Sequence, residues 1–338
     1  MNMNPQQIPV QVGERLEFQH ISPSRSVSSL EEDMRTGFLT HPRKLPPKYF
    51  YDEYGSELFD RICNTPEYYQ TRTEESLLRQ YAQDIIEQVK PRHIIELGSG
   101  TSRKTRHLLN ACDSYECLEV YVPFDVSKET LLNAGHSLVI EFDWLTITAL
   151  VGDYHGGFDN IPVVEDEGTR MFVFLGSTIG NFEHDDAIRF LSELREYMNP
   201  DDRLLLGADR VKDSQTLRAA YNDSGGVTAE FNLNVLNVLN KELSADFSPE
   251  KFTHDAIYNE KEQQIEMYLV SECEQHVCLE SMRECINFKE NERILTEISR
   301  KFTRHSLKSL LSEAGFCVME HYEPDNEYFS LVLAKPDY

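Results

Sequence analysis

Between residues 90 and 210 short apolar runs recur, separated by stretches whose apolar residues fall three or four apart. The runs His93–Leu97, Val120–Phe124, Ile147–Val151, Met171–Leu175 and Arg203–Gly207 have strand length, and most are followed by a helical pattern. This alternation predicts an α/β fold built on a doubly wound parallel sheet. Upstream, Leu30, Met34 and Phe38 predict a helix from Ser29, and Leu45-Pro46-Pro47 forces an extended turn. One helix is then expected through Leu58, Phe59 and Ile62, and another from Thr73 to about Val89. The chain closes with a helix over Ser306–Ala314 and strands over Phe316–His321 and Tyr328–Ala334. Residues 1–30 are polar and are expected to form a mobile lead-in, with one short strand around Glu17-Phe18-Gln19. About ninety residues separate the fifth strand from the closing elements, and within them Ile265, Met267 and Leu269 alternate as a strand would.

Ligands of such sheets lie outside the carboxyl ends of the strands. The residues there are Gly98, Asp125, Asp153-Tyr154, Gly176-Ser177-Thr178 and Asp209. Gly98-Ser99-Gly100 ends the first strand, and Thr101-Ser102-Arg103-Lys104-Thr105 leads into a helix, so backbone N–H groups are offered to a nucleotide-like ligand. A dinucleotide fingerprint is incomplete, because its third glycine would fall at Arg103. Asp125 and Asp153 end the next two strands, where carboxylates can accept ribose hydroxyls and an adenine amino group. With no phosphate-clamping lysine pattern, this favours S-adenosylmethionine over ATP. Ahead of the sheet, five tyrosines between Tyr49 and Tyr69 supply hydroxyls on rigid rings, suited to a small polar ligand.

The 338 residues carry 33 basic and 58 acidic side chains, a formal charge of −25, which repels nucleic acids and anionic membranes. No apolar run reaches membrane-spanning length and the first residues have no signal-peptide core, so a cytoplasmic protein is expected. The seven cysteines form no C-x-x-C pair and read as reduced thiols. Cys273, His276, Cys278 and Cys285 match no common zinc spacing, and no metal is assigned.

The segments Leu45–Asp52, Pro66–Arg72, Glu96–Thr105, Gly176–Asn181, Phe231–Leu236 and Thr296–Ser299 resemble the histidine-specific Nα-methyltransferases of ergothioneine biosynthesis, from about residue 30 to the end. The resemblance implies a class I methyltransferase with a seven-stranded sheet and an α+β substrate-binding domain. Its parts would be residues 31–90 and 213–303 for substrate, and 91–212 with 304–338 for the S-adenosylmethionine-binding sheet. It implies cofactor contacts at Gly98, Lys104, Asp125, Asp153 and Tyr154, and substrate contacts at Tyr51, Tyr68, Asn181, Tyr221, Met267, Glu297 and Ser299. Asn181 and Tyr221 would hold the amino and carboxylate end of free L-histidine, Glu297 and Ser299 its imidazole, and Tyr51 and Asn181 would act at the reacting amine. The expected reaction is Nα-trimethylation to hercynine by a monomer. Two positions depart from the family pattern: Ser177 stands where glycine is common, and Arg210 where leucine is usual.

Two alternatives remain at this point. The substrate could be tryptophan, another aromatic amine or a modified histidine, or the chain could be a non-catalytic S-adenosylmethionine-binding protein. Nucleic-acid amino methyltransferases would show Asp/Asn-Pro-Pro-Tyr/Phe after the fourth strand, where this chain has Gly176-Ser177-Thr178-Ile179-Gly180-Asn181.

Overall fold

The computed structural model describes residues 10–11, 13–115, 117–161 and 168–338. The five apolar runs form the centre of one sheet as parallel strands His93–Leu97, Val120–Asp125, Thr146–Val151, Arg170–Phe174 and Arg203–Asp209. Their lack of strict alternation follows from burial on both faces: every residue of His93–Leu97 and of Arg170–Phe174 is buried. Across the sheet the strands lie in the order Val10–Gln11, Leu16–His20, Thr146–Val151, Val120–Asp125, His93–Leu97, Arg170–Phe174, Arg203–Asp209, Phe329–Pro336 and Phe316–Tyr322. The last two form the expected antiparallel hairpin.

The sheet therefore has nine strands among the described residues, a correction to the seven expected. The added pair comes from the segment expected to be a mobile lead-in. Leu16–His20 runs parallel against Thr146–Val151, with Val10–Gln11 antiparallel outside it. Leu16 and Phe18 point into the core beside Ile147 and Leu138, at 2% and 3% exposure, so two apolar side chains in alternate positions were enough to recruit the strand. Beyond it, the backbone N–H of Ser24 and the guanidinium of Arg25 donate to the carbonyls of Gly156 and His155. Residues 1–9 of the lead-in lie outside the described residues.

A second lobe is built on a four-stranded sheet, ordered Arg43–Lys44, Arg293–Arg300, Gln264–Ser271 and Phe252–Asn259. The helix Val227–Leu243 buries Phe231, Val235, Leu236 and Leu239 in the same core as Ile265, Met267 and Leu269. The predicted alternation over 265–269 is thus a strand whose apolar face is fully buried. The helix Glu53–Cys63 starts at Asp52, whose carboxylate accepts the Gly55 N–H at 2.8 Å. The helix predicted from Thr73 starts four residues earlier and runs Tyr69–Val89. A hairpin of Gln275–Leu279 and Glu284–Phe288 lies against this lobe and joins Cys278 to Cys285 by a disulfide, correcting the expectation that all seven thiols are reduced. No helix among the described residues is long and apolar enough to cross a membrane.

Candidate active site

At the end of the first strand Gly98 (φ 69°) and Gly100 (φ 50°) take left-handed conformations open to glycine at little cost. The turn folds back on the second strand: Asp125 accepts the Gly100 N–H at 2.9 Å through one oxygen and the Ser127 N–H at 3.0 Å through the other. Burial pushes the Asp125 pKa up, against the pull of these N–H donors. Below the turn, buried Glu96 accepts from Thr105 at 2.6 Å and from Tyr121, and burial raises its pKa to about 7. Tyr154 packs beside Gly98, edge-on to Phe124 and Phe174. Asp153 caps the short turn Tyr154–Gly156, accepting the His155 N–H at 2.8 Å. Lys104 is paired with the buried carboxylate of Glu74, which also accepts the Gly176 N–H at 2.9 Å. Gly98, Asp125, Asp153 and Tyr154 thus lie at the first three strand ends, and Lys104 lies beside Gly176 after the fourth. Ser99 leaves a buried hydroxyl oxygen with no hydrogen-bond partner, an orphan polar atom that a bound nucleoside group would satisfy. These residues fit S-adenosylmethionine.

The other half of the site belongs to the second lobe. On the strand Arg293–Arg300 side chains alternate, so Glu297 and Ser299 share a face, and Lys301 continues it. Met267 lies directly opposite Glu297 in register, on that same face, at 1% exposure. The protons here can be counted. A hydroxyl oxygen carries one donor and accepts two hydrogen bonds. The Tyr221 oxygen accepts from Gln70 Nε2 at 2.9 Å and from Lys301 Nζ at 2.8 Å, so its own O–H goes to Ser299 Oγ at 2.7 Å. Ser299 Oγ also accepts from Lys301 Nζ at 2.9 Å, which leaves the Ser299 O–H as the free donor. Glu297 stands two residues away as an acceptor, its pKa raised to about 7 by burial, with Lys301 pulling the other way. Lys301 itself is held by Asp209 at 3.0 Å. Burial opposes the lysine charge, but Tyr221 and Asp209 outweigh it and its pKa is raised.

Tyr51 and Tyr68 pack on the second lobe. Tyr68 packs edge-on to Tyr221, and Tyr51 edge-on to Phe59 and Phe231. Tyr51 is 37% exposed, with its ring set among its neighbours. Burial first, then the nearby charges of Glu297 and Tyr154, hold that phenol well above its usual range. Glu297 is expected to meet the substrate and Tyr154 the cofactor, and Tyr51 lies within electrostatic reach of both. Asn181 closes the turn Thr178–Asn181; a side chain on Gly180 would stand 2.7 Å from the Arg300 carbonyl, so only glycine lets this turn rest on the strand bearing Glu297. A groove of about 250 Å3 leads outward from Asn181 past His155 and Phe190, and Tyr221, Glu297 and Ser299 are not part of its wall.

Of the twelve expected residues, Asn181 alone lines that groove, while the Gly100 turn meets Asp125, and Met267, Glu297, Ser299 and Tyr221 meet on the second lobe, where Tyr221 differs in detail. Its hydroxyl, expected at the carboxylate end of the substrate, is committed to Gln70, Lys301 and Ser299. Sequence reasoning missed Gln70, Glu74 and Lys301. Lys301 could have been found, since it continues the two-residue period of Glu297 and Ser299, whereas Gln70 and Glu74 depend on where one helix end docks. Asp209, considered as a ligand, is instead a structural counter-ion, accepting from Lys212 at 2.6 Å and from Tyr69 at 2.7 Å. The two departures also have a place. Ser177 adopts φ 58° and its hydroxyl accepts the Asp209 N–H at 2.8 Å, while Arg210 pairs with Glu323 at 2.7 Å.

Residues 30–336 match the family described as histidine-specific, SAM-dependent methyltransferases. A histidine N-alpha-methyltransferase of Mycolicibacterium smegmatis is 44% identical over 93% of this chain and 97% of its own length. The Mycobacterium tuberculosis histidine N-alpha-methyltransferase is 41% identical over the same shares. A 4-dimethylallyltryptophan N-methyltransferase of Claviceps purpurea is 26% identical over 85% of this chain and 89% of its own. The glycine turn and acidic strand ends on one side of the cleft, the Glu297–Ser299 face on the other, and this match over nearly the whole chain together show that the protein belongs to the histidine-specific, S-adenosylmethionine-dependent methyltransferase family.

Proposed function

We propose that this protein methylates the α-amine of free L-histidine three times, giving hercynine, the first step towards ergothioneine, and that it does so as a cytoplasmic monomer. The observation that carries this reading is the donor and acceptor side by side on one strand face. Neutral imidazole has one ring N–H and one bare nitrogen. Glu297 can accept from the first and the free Ser299 O–H can donate to the second. An indole offers only an N–H and would leave the serine donor unmatched, which a buried site penalises strongly.

Bound S-adenosylmethionine supplies a sulfonium methyl already activated for transfer. The chain's part is to bind, align and deprotonate. The Gly98–Gly100 backbone, Asp125, Asp153, Tyr154 and Lys104 would hold the cofactor. Met267 and Tyr68 would wall the ring pocket, and the Asn181 amide would meet the substrate amine. Before each transfer that amine must lose a proton. Tyr51, kept as a neutral phenol by its surroundings, can relay it outward through its hydroxyl. The faces of Tyr51 and Tyr68 tolerate the methylammonium as it forms.

The test is mass spectrometry of the twenty amino acids, each incubated with enzyme and S-adenosylmethionine. Histidine alone should gain methyl groups, up to three. A methylated tryptophan with unmodified histidine would overturn the assignment.

A further inference from the structure

The hairpin Gln275–Leu279/Glu284–Phe288 has two unlike faces. Val277, Leu279, Ile286 and Phe288 are buried in the core of the second lobe. The opposite face carries His276, Cys278, Cys285 and Asn287, with His276 opposite Asn287 and Cys278 opposite Cys285. The Cys278 backbone turns away from its partner strand: its N–H donates to Asp246 Oδ1 at 2.7 Å, and its carbonyl accepts from the Asp246 N–H at 3.3 Å. The cysteines are thus a non-hydrogen-bonded cross-strand pair, the kind that brings side chains closest, and their Cα atoms are 4.1 Å apart. The cross-link spans only seven positions along strands the ladder already pairs, so it restricts the unfolded chain little compared with a bond closing a long loop.

The surroundings favour reaction. His276 Nδ1 lies 2.7 Å from Asn287 Oδ1, which can only accept, so Nδ1 carries the proton and Nε2 presents a lone pair. That Nε2 lies 3.4 Å from Cys278 Sγ. His276 and Cys285 are exposed, and no residue of the methyl-transfer cleft lies in the hairpin.

We propose that Cys278 and Cys285 form a thiol–disulfide exchange site that reacts with low-molecular-weight disulfides, with His276 as its base. The reduced Cys278 thiol passes its proton to His276 Nε2, and the thiolate attacks a sulfur of the external disulfide. One external thiol leaves, taking that proton, and Cys278 is held as a mixed disulfide. Cys285 then attacks the Cys278 sulfur, forms the internal bond and releases the second external thiol with its own proton. Two protein thiols are oxidised and one external disulfide is reduced to two thiols.

The test equilibrates the full-length protein with reduced and oxidised glutathione at graded ratios, quenches with acid, alkylates, and reads masses and peptides. The expected result is one transition from seven alkylated cysteines to five, with Cys278 and Cys285 linked. Cys285→Ser should accumulate the mixed disulfide at Cys278. His276→Ala should slow exchange about tenfold or more, while circular dichroism shows both variants folded. Seven alkylated cysteines in the most oxidising buffer would overturn the proposal. So would glutathione captured first at Cys63 or Cys317, or unchanged exchange in folded His276→Ala.

Discussion

On the proposed reading, single side chains decide which ring the site accepts. Glu297 is held near half ionisation at neutral pH because burial raises its pKa to about 7. Only its ionised form accepts an imidazole N–H with a full charge, so kcat/KM for histidine should rise as pH increases through about 7. Glu297→Gln, which keeps the shape, should lose that limb of the profile in a steady-state pH series; an unchanged limb would assign it to the substrate. Glu297→Ala goes further. It removes the charged acceptor and opens volume beside Met267, so histidine turnover should fall by orders of magnitude while the tryptophan-to-histidine ratio rises. If both substrates lose equally, Glu297 does not read the ring. On the cofactor side, Asp125→Ala removes a charged acceptor worth roughly 1.5–3 kcal/mol to a ribose hydroxyl. Calorimetric titration should show S-adenosylmethionine affinity lower by at least tenfold in the folded variant.

Whole elements bring these side chains together. The helix Tyr69–Val89 begins at the site: Gln70 reaches Tyr221, and Glu74 reaches Lys104 and the Gly176 N–H, so one helix end links both lobes. The N-terminal strand Leu16–His20 acts at a distance by extending the sheet beyond Thr146–Val151, the strand that leads to Asp153. Truncating its buried ring in Phe18→Ala should cost roughly 3–5 kcal/mol and lower Tm by roughly 4–7 °C in scanning calorimetry. An unchanged Tm would mean that the strand contributes nothing to the folded core.

Over the whole molecule, stability and activity should respond to pH in opposite directions. Glu96 and Glu297 have folded pKa values raised to about 7 by burial, so the folded state holds protons that the unfolded chain has released. Their contribution to stability is complete below about pH 4.5 and is lost as pH rises through about 7. Asp209 works the other way: burial raises its pKa, but Lys301 and Lys212 outweigh it and hold the carboxyl below its ordinary value. That stability is present above the ordinary carboxylate range and disappears as pH falls through the lowered value. The net charge of −25 adds self-repulsion that eases on acidification. Tm should therefore rise as pH is lowered from about 8 to about 5.5, over the interval in which histidine turnover declines, and collapse only in stronger acid. Calorimetry across this range checks it, and a Tm that falls steadily from pH 8 to 5.5 would contradict it.

What the chain settled by itself was local. Five apolar runs of strand length can be buried only within a sheet covered on both faces, and the glycine turn with acids at the next two strand ends can be read without coordinates because strand ends converge in any doubly wound sheet. The shared face of Glu297 and Ser299 follows from the two-residue period of a strand alone. Tertiary structure decided whatever depends on a partner distant in sequence. Leu16 and Phe18 become core only because Thr146–Val151 offers a free edge, which no short-range pattern announces. Cys278 and Cys285 become a disulfide only through the register of their hairpin. The direction of the Ser299 proton is fixed by Gln70, Tyr221 and Lys301 acting together, and the first of these lies more than two hundred residues away. Strand and turn follow from neighbouring residues, whereas a counted proton needs every donor and acceptor around it, and folding alone brings those into contact.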